Sequence, residues 1–124
     1  MRVERELMRG AGPTAVMQLL ASRERYGYEL VEALAKETGG VLAMGQSTLY
    51  PLLYNLEGKG LISSRLDEAS GRPRRYYRLT SKGRKRLARD RTQWEALLAA
   101  MKGLGVGAGA GAGAGAATAA GGPS

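Results

Sequence analysis

Residues 46–80 read QSTLYPLLYNLEGKGLISSRLDEASGRPRRYYRLT, and a change of hydrophobic period inside this stretch decides the fold. Leu49, Leu52, Leu53 and Leu56 recur at i, i+3, i+4 and i+7, which is one face of a helix, and Gly60 marks its stop. Tyr50 and Tyr54 sit together at the border of that face, and Ser47, Thr48, Pro51, Asn55 and Lys59 point the other way. Pro51 cannot donate to the carbonyl four residues back, so it must lie near the start of the regular helix or kink it. From Leu61 the period falls to two. Leu61–Leu66 reads as a strand with Ile62, Ser64 and Leu66 on one side. Asp67 to Pro73 has the composition of a turn, and Arg74–Leu79 reads as a returning strand with Tyr77 and Leu79 inward. A helix over about Gln46–Lys59 that runs straight into a β-hairpin is therefore predicted.

Three further helices are expected around this unit. Val16, Leu19 and Leu20 lie at helical spacing after Gly12-Pro13, a start signal, which predicts a short first helix over 13–22. Leu30, Val31, Leu34 and Ala35 form a stripe between Tyr26 and Thr38 that ends at Gly39-Gly40, a second helix. Val41–Met44 reads as a brief apolar link with the look of one short strand. A longer helix from about Ser81 to Lys102 carries Leu87, Trp94, Leu97, Leu98 and Met101 on one stripe. The expected class is mainly α with a small β-hairpin wing (α+β), a winged helix-turn-helix followed by a long C-terminal helix. The expected extents are an arm over 1–12, the winged unit over 13–80, the last helix over 81–102 and a tail over 103–124.

Composition narrows what such a chain does. The 124 residues include no Cys and no His, which removes disulfides, thiolate nucleophiles, the usual general base and the commonest metal ligand. No cofactor is expected, and an enzyme is the least favoured class for want of a nucleophile and base. No run approaches the roughly 20 apolar residues that span a bilayer, and the start, Met1-Arg2-Val3-Glu4-Arg5-Glu6, is charged where a signal peptide turns apolar. A cytoplasmic protein with no membrane partner is expected. Gly103–Ser124 holds 9 Gly and 8 Ala and no charged side chain, so it has little to bury against the entropy of ordering and reads as a flexible tail.

Charge then points to a partner. Lys and Arg number 19 against 11 Asp and Glu, a net +8. Residues 1–71 carry 8 basic and 9 acidic side chains, net −1, whereas residues 72–102 carry 11 basic and 2 acidic, net +9. The excess begins in the turn at Arg72, Arg74, Arg75 and Arg78, and continues at Lys82, Arg84, Lys85, Arg86, Arg89 and Arg91. The cluster after Thr80-Ser81, a helix start, sits where the helix dipole favours anions, so its cations are not there for the helix. A polyanion fits, and double-stranded DNA fits best. A helix enters the major groove, and an Arg-bearing hairpin reaches the backbone or the adjacent minor groove. On the third helix Ser47, Thr48 and Asn55 are the candidates for bases or phosphates, Tyr50 and Tyr54 for phosphate or a thymine methyl, and Lys59 for phosphate. On the wing the candidates are Arg72, Arg74, Arg75 and Tyr76.

These residues carry a family resemblance. Tyr26-Gly27-Tyr28-Glu29, then Ser47-Thr48-Leu49-Tyr50-Pro51-Leu52-Leu53 with Leu56-Glu57-Gly58-Lys59-Gly60-Leu61-Ile62, then Gly71-Arg72-Pro73-Arg74-Arg75-Tyr76-Tyr77-Arg78-Leu79-Thr80 make residues from about 8 to 95 similar to PadR-type transcriptional regulators. The resemblance implies a homodimer on a pseudo-palindromic operator, with the last helix as dimerisation element, and repression as the expected sign of regulation. Leu87, Trp94, Leu97, Leu98 and Met101 are the expected interface, with Val3, Leu7 and Met8 as an arm against the partner's last helix. The resemblance also implies a small planar hydrophobic effector, which would stack on Trp94. The alternatives are a sequence-nonspecific architectural binder of the linker-histone kind, whose simple-sequence tails are Lys-rich where this one is uncharged, and an adaptor whose helical domain binds protein.

Overall fold

A computed structural model of the chain describes residues 1–107. The elements in order are α1 (Arg5–Ser22), β1 (Arg25–Tyr26), α2 (Gly27–Glu37), α3 (Gln46–Gly58), β2 (Ile62–Asp67), β3 (Arg74–Leu79) and α4 (Ser81–Gly103). They fall into two units, Met1–Ala88 and the segment from Arg89 onward. The first unit is a winged helix. Val16, Met17 and Leu20 of α1, Leu30 and Leu34 of α2, Leu49, Leu53 and Leu56 of α3 and Leu61, Ile62, Tyr77 and Leu79 of the wing close one apolar core with Met44 and Leu87. The helix-to-hairpin reading of residues 46–80, with Tyr77 and Leu79 inward, is what the structure contains.

Several expectations are corrected. Helix α1 begins at Arg5, not at Pro13, and passes through that proline. Loss of one backbone bond at Pro13 is offset because Met8 packs against the core and because the Val3 amide donates to the Val41 carbonyl at 3.1 Å. Val3 and Met8 are therefore tied to the chain's own body. The extra strand is Arg25–Tyr26 rather than Val41–Met44. Its pairing with β3, Arg25 opposite Tyr77 and Tyr26 opposite Tyr76, makes a three-stranded antiparallel sheet in the order β1-β3-β2. Two residues were too few to show a period. Leu87, expected at a dimer interface, is 2% exposed and lies in the chain's own core, because the first two turns of α4 close the winged unit.

The tail expectation is corrected at its start. Gly103 is still helical, and the Val106 amide donates to the Met101 carbonyl at 2.9 Å while Gly105, at φ +95°, donates to Lys102. This is a Schellman ending, which needs the left-handed conformation at Gly105. Residues 108–124, most of the Gly/Ala run, lie outside the described residues.

The wing is fixed to α3 and α4 at one junction. Helix α3 is closed by the turn at Gly60, φ +76°, whose amide donates to Glu57 while that of Leu61 donates to Leu56 at 3.0 Å. Thr80 Oγ1 donates to the Gly60 carbonyl at 2.7 Å, with the Leu61 carbonyl at 3.0 Å, and accepts from the Gly83 amide at 2.9 Å. The same hydroxyl thus caps α4 and binds the α3–β2 turn. Lys82 Nζ adds a bond to the Lys59 carbonyl at 2.8 Å. Gly83 permits this approach, because a Cβ there would run into the Leu61 carbonyl and the Leu79 side chain.

The outer face of the sheet carries a row of stacked side chains. Arg65 of β2 lies over the Tyr76 ring of β3, 5.0 Å to its centroid. Tyr76 meets Tyr26 of β1 edge-on, centroids 5.5 Å apart, and Arg74 lies over the other part of the row, 4.7 Å from the Tyr26 centroid. These are favourable aromatic and cation–π geometries. A fork from Arg65 to Glu24, at 2.7 and 3.0 Å, ties the row to the start of β1. That hydrogen bond holds the Glu24 carboxyl below the ordinary glutamate range.

Gly83→Ala should lower unfolding stability by about 2 kcal/mol, the range for overpacking against fixed neighbours, read as the urea midpoint; an unchanged midpoint contradicts the close approach. Glu24→Gln tests the outer row by pH. A depressed carboxyl contributes stability that is fully present above the ordinary carboxylate pKa and is lost as pH falls through the lowered folded value. The variant should therefore melt below the unaltered chain at neutral pH, and the two should converge in strong acid. Identical melting at neutral pH contradicts a contribution from the pair.

Candidate nucleic-acid interface

Helix α3 is buried on one side by Leu49, Leu53 and Leu56. At about 100° per residue, the opposite side has Ser47, Pro51, Tyr54 and Gly58 along its crown. Thr48, Asn55 and Lys59 fall on one flank, and Tyr50 and Glu57 on the other. All of these are exposed, Tyr54 by 82%. Pro51 is the sixth helical residue and removes only one bond, to the Ser47 carbonyl in the first turn. The amide of Thr48 donates to Gly45 at 3.1 Å and that of Leu49 at 3.0 Å, so the helix start is closed despite a glycine N-cap without a side chain.

The Tyr50/Glu57 flank turns toward the wing. A groove of about 650 Å³ is lined by Tyr50, Pro51, Tyr54 and Glu57 of α3, Ser64 of β2 and Arg75 and Tyr77 of β3. Tyr50 is set in place from behind, because α2 starts at Gly27 directly against its phenol and a Cβ there would clash with that ring. Helix α2 in turn begins where the Glu29 carboxylate accepts from the Tyr26 amide at 3.0 Å. Burial, together with neighbouring Tyr50 and against the pull of Arg75, pushes the Tyr77 hydroxyl up, so it stays a neutral phenol at the groove floor. Ser64 Oγ donates to Glu57 Oε2 at 2.7 Å and accepts from Arg75 at 3.1 Å.

Strand alternation divides the wing cations. Arg75 shares its side of β3 with Tyr77 and Leu79 and reaches the groove. Arg74, Tyr76 and Arg78 face the other way, where Arg74 stacks on Tyr26, Tyr76 lies half-buried between Tyr26 and Arg65, and Arg78 Nε donates to Ser63 at 3.2 Å. Arg72 is exposed in the turn between the strands. From Arg72 to Ala88 this unit carries Arg72, Arg74, Arg75, Arg78, Lys82, Arg84, Lys85 and Arg86 and no acidic residue.

Of the residues singled out from sequence, the structure brings Tyr50, Tyr54 and Arg75 together in one groove. It places Ser47 on the same helix crown and Thr48, Asn55 and Lys59 on its far flank. Arg74 and Tyr76 lie on the outer face of the sheet, away from the groove. Sequence reasoning gave no role to Glu57, Ser64, Tyr26, Arg65 and Glu24. Period-two alternation was the available signal for Ser64 and Arg75 on one side; the pairing of Arg65 with Tyr76 needed the register, which places them opposite each other.

In the segment from Arg89 onward, Trp94 is half-buried, and Leu97, Leu98, Met101, Leu104 and Val106 are exposed, Leu98 by 61% and Leu104 by 80%. Of the expected arm residues, Leu7 is exposed and Val3 and Met8 are half-buried. Among the described residues no helix is long and apolar enough to cross a membrane.

Comparison with known proteins agrees with this architecture. Residues 16–89 match the transcriptional regulator PadR-like family. The chain is 36% identical over 99 residues to the transcriptional regulator Rv3488 of Mycobacterium tuberculosis, covering 80% of this chain and 90% of that one. It is 39% identical to a PadR family transcriptional regulator from Eggerthella lenta, whose crystal structure superposes with a TM-score of 0.66 over 80% of this chain and 85% of that one. Bacillus subtilis PadR, solved in complex with operator DNA, is 27% identical with a TM-score of 0.56, covering 61% of this chain and 44% of that one. The family and these relatives are regulators of transcription rather than enzymes. The resemblance read from the motifs holds, and the chain belongs to the PadR-like family of transcriptional regulators.

Proposed function

We propose that the chain is a homodimeric, sequence-specific DNA-binding repressor that acts in the cytoplasm on a pseudo-palindromic operator. The observation that carries the reading is that the exposed crown of α3 and Arg75 of the wing border one groove in a unit whose net positive charge lies in the returning wing strand and the start of α4. Bacillus subtilis PadR, in its complex with operator DNA, supports the same partner. In this reading α3 enters the major groove, with Ser47, Thr48 and Asn55 at base edges and Tyr50 and Tyr54 at thymine methyls or phosphates. Lys59, Arg72, Arg74 and Arg75 neutralise phosphate, and Tyr76 holds the sheet face behind Arg74.

The dimer reading rests on Leu97, Leu98, Met101, Leu104 and Val106, exposed apolar side chains at and just past the end of α4 in the second unit, the kind of surface that marks an interface. Leu7 is the arm residue still free to join it, and α4 beyond Ala88 is the dimerisation element. Two-fold symmetry then places half-sites one helical turn apart, about 34–36 Å. A small planar hydrophobic effector that stacks on Trp94 at this interface is the proposed releasing signal.

The test is a titration of duplex carrying the promoter of the chain's own gene against random-sequence duplex at several salt concentrations, with sedimentation to give stoichiometry. Four phosphate-neutralising cations per chain in a dimer predict a log–log salt slope of about −7, at −0.9 per phosphate. Two chains should bind per duplex, with a preference for the promoter of about 1,000-fold. Equal affinity for both duplexes would overturn sequence specificity in favour of an architectural binder, and a salt-independent affinity would overturn the phosphate assignment.

A further inference from the structure

The groove between α3 and the wing is lined by one carboxylate, Glu57, on a surface that in the proposed reading faces a polyanion. Beside phosphates a negative charge is repulsive, so elementary electrostatics makes it a liability. Its hydrogen bonds give it a different role. Ser64 Oγ donates to Glu57 Oε2 at 2.7 Å, and Arg75 Nη1 donates to the same Ser64 Oγ at 3.1 Å. The relay joins α3, β2 and β3, all three elements that line the groove. A hydroxyl has one proton and two acceptor lone pairs. Because the carboxylate takes that proton in a charge-assisted bond, the lone pairs of Ser64 are turned to the guanidinium. An exposed arginine left alone samples many rotamers, whereas here its planar fork is held at the groove.

We propose that Glu57 is a positioning residue for DNA binding: through the Ser64 hydroxyl it fixes the Arg75 guanidinium in the groove between α3 and the wing, where a strand of the DNA backbone passes. A helix in the major groove with a hairpin beside it leaves a phosphate strand across the interval between them. The inference rests on the DNA-binding reading above. The sign of the effect separates positioning from repulsion, since loss of a carboxylate should tighten binding if repulsion were its only action.

Full-length chains carrying Glu57→Ala, Glu57→Gln, Ser64→Ala, Arg75→Ala or both Glu57→Ala and Arg75→Ala are titrated against random-sequence duplex of about 30 base pairs, roughly three helical turns. The salt is about 50 mM, where phosphate contacts weigh most. Glu57→Ala and Ser64→Ala should each weaken binding about threefold, the scale of an exposed charge pair. Glu57→Gln, which keeps an acceptor for Ser64 and loses the charge, should bind at least as tightly as the unaltered chain. With Arg75→Ala already present, Glu57→Ala should no longer weaken binding. In the free chain, NMR relaxation of the Arg75 Nε–H should show lost order in Glu57→Ala and Ser64→Ala but not in Glu57→Gln. Tighter or unchanged binding in Glu57→Ala, or unchanged Arg75 order in both severed variants, overturns the positioning role and leaves the DNA reading standing. An unaltered chain that binds no duplex at this salt overturns the DNA reading itself, while the relaxation result still decides the relay.

Discussion

The hydroxyl of Thr80 is the constraint on which the rest of the winged unit depends. Within one residue the chain must leave β3, start α4 and stay joined to the turn that ended α3. The single Oγ1 atom meets the last two demands, donating to the α3–β2 turn and accepting from the α4 amide of Gly83. Without it the α4 start and the Gly60 carbonyl would both seek water. Gly83 and Lys82 then draw α4 against the same turn. This junction ties the end of α3 to the open end of the hairpin, where Ile62 pairs with Leu79.

A second division follows from the period of β3. Alternate side chains serve opposite faces, so the run of arginines in the wing is two sets. Arg75 belongs to the face that closes on α3. Arg74 is stacked on Tyr26 and continues a row through Tyr76 to Arg65 and Glu24. That row spans all three strands, and it uses β1, only two residues long, as the anchor of the outer face. The run of alternating cations therefore builds the outer face of the wing as well as equipping its groove, and Arg74, stacked on Tyr26, belongs to that outer face.

Much of this was legible in residues 46–80, because the passage from period 3.6 to period 2 is strong where Leu49, Leu53 and Leu56 give way to Ile62, Tyr77 and Leu79. Gly60 and Thr80 could also be recognised as boundary residues. What could not be read were the contacts that depend on long-range pairing. Arg25–Tyr26 is too short for a period, and only its pairing with β3 makes it a strand. Pro13 is a valid start signal that was overridden by packing of Met8 and by the Val3–Val41 bond. Leu87 shares a stripe with Leu97 and Leu98, yet it ends in the winged unit's core while they stay exposed, since spacing along a helix does not tell which body each turn meets. Glu57 was visible only as one letter of a motif; its chemistry appears when Ser64 of β2 and Arg75 of β3 are brought to it.

The most direct measurement of the central claim, that the α3 crown and the wing together form the DNA face, is a map of backbone amide NMR shifts on titration with duplex DNA. The account predicts that the perturbed amides cluster in residues 46–59 and around Arg72 to Arg75, with α2 unaffected along Leu30 to Leu34. Perturbations centred on α1 or α2, with α3 and the wing silent, would contradict it.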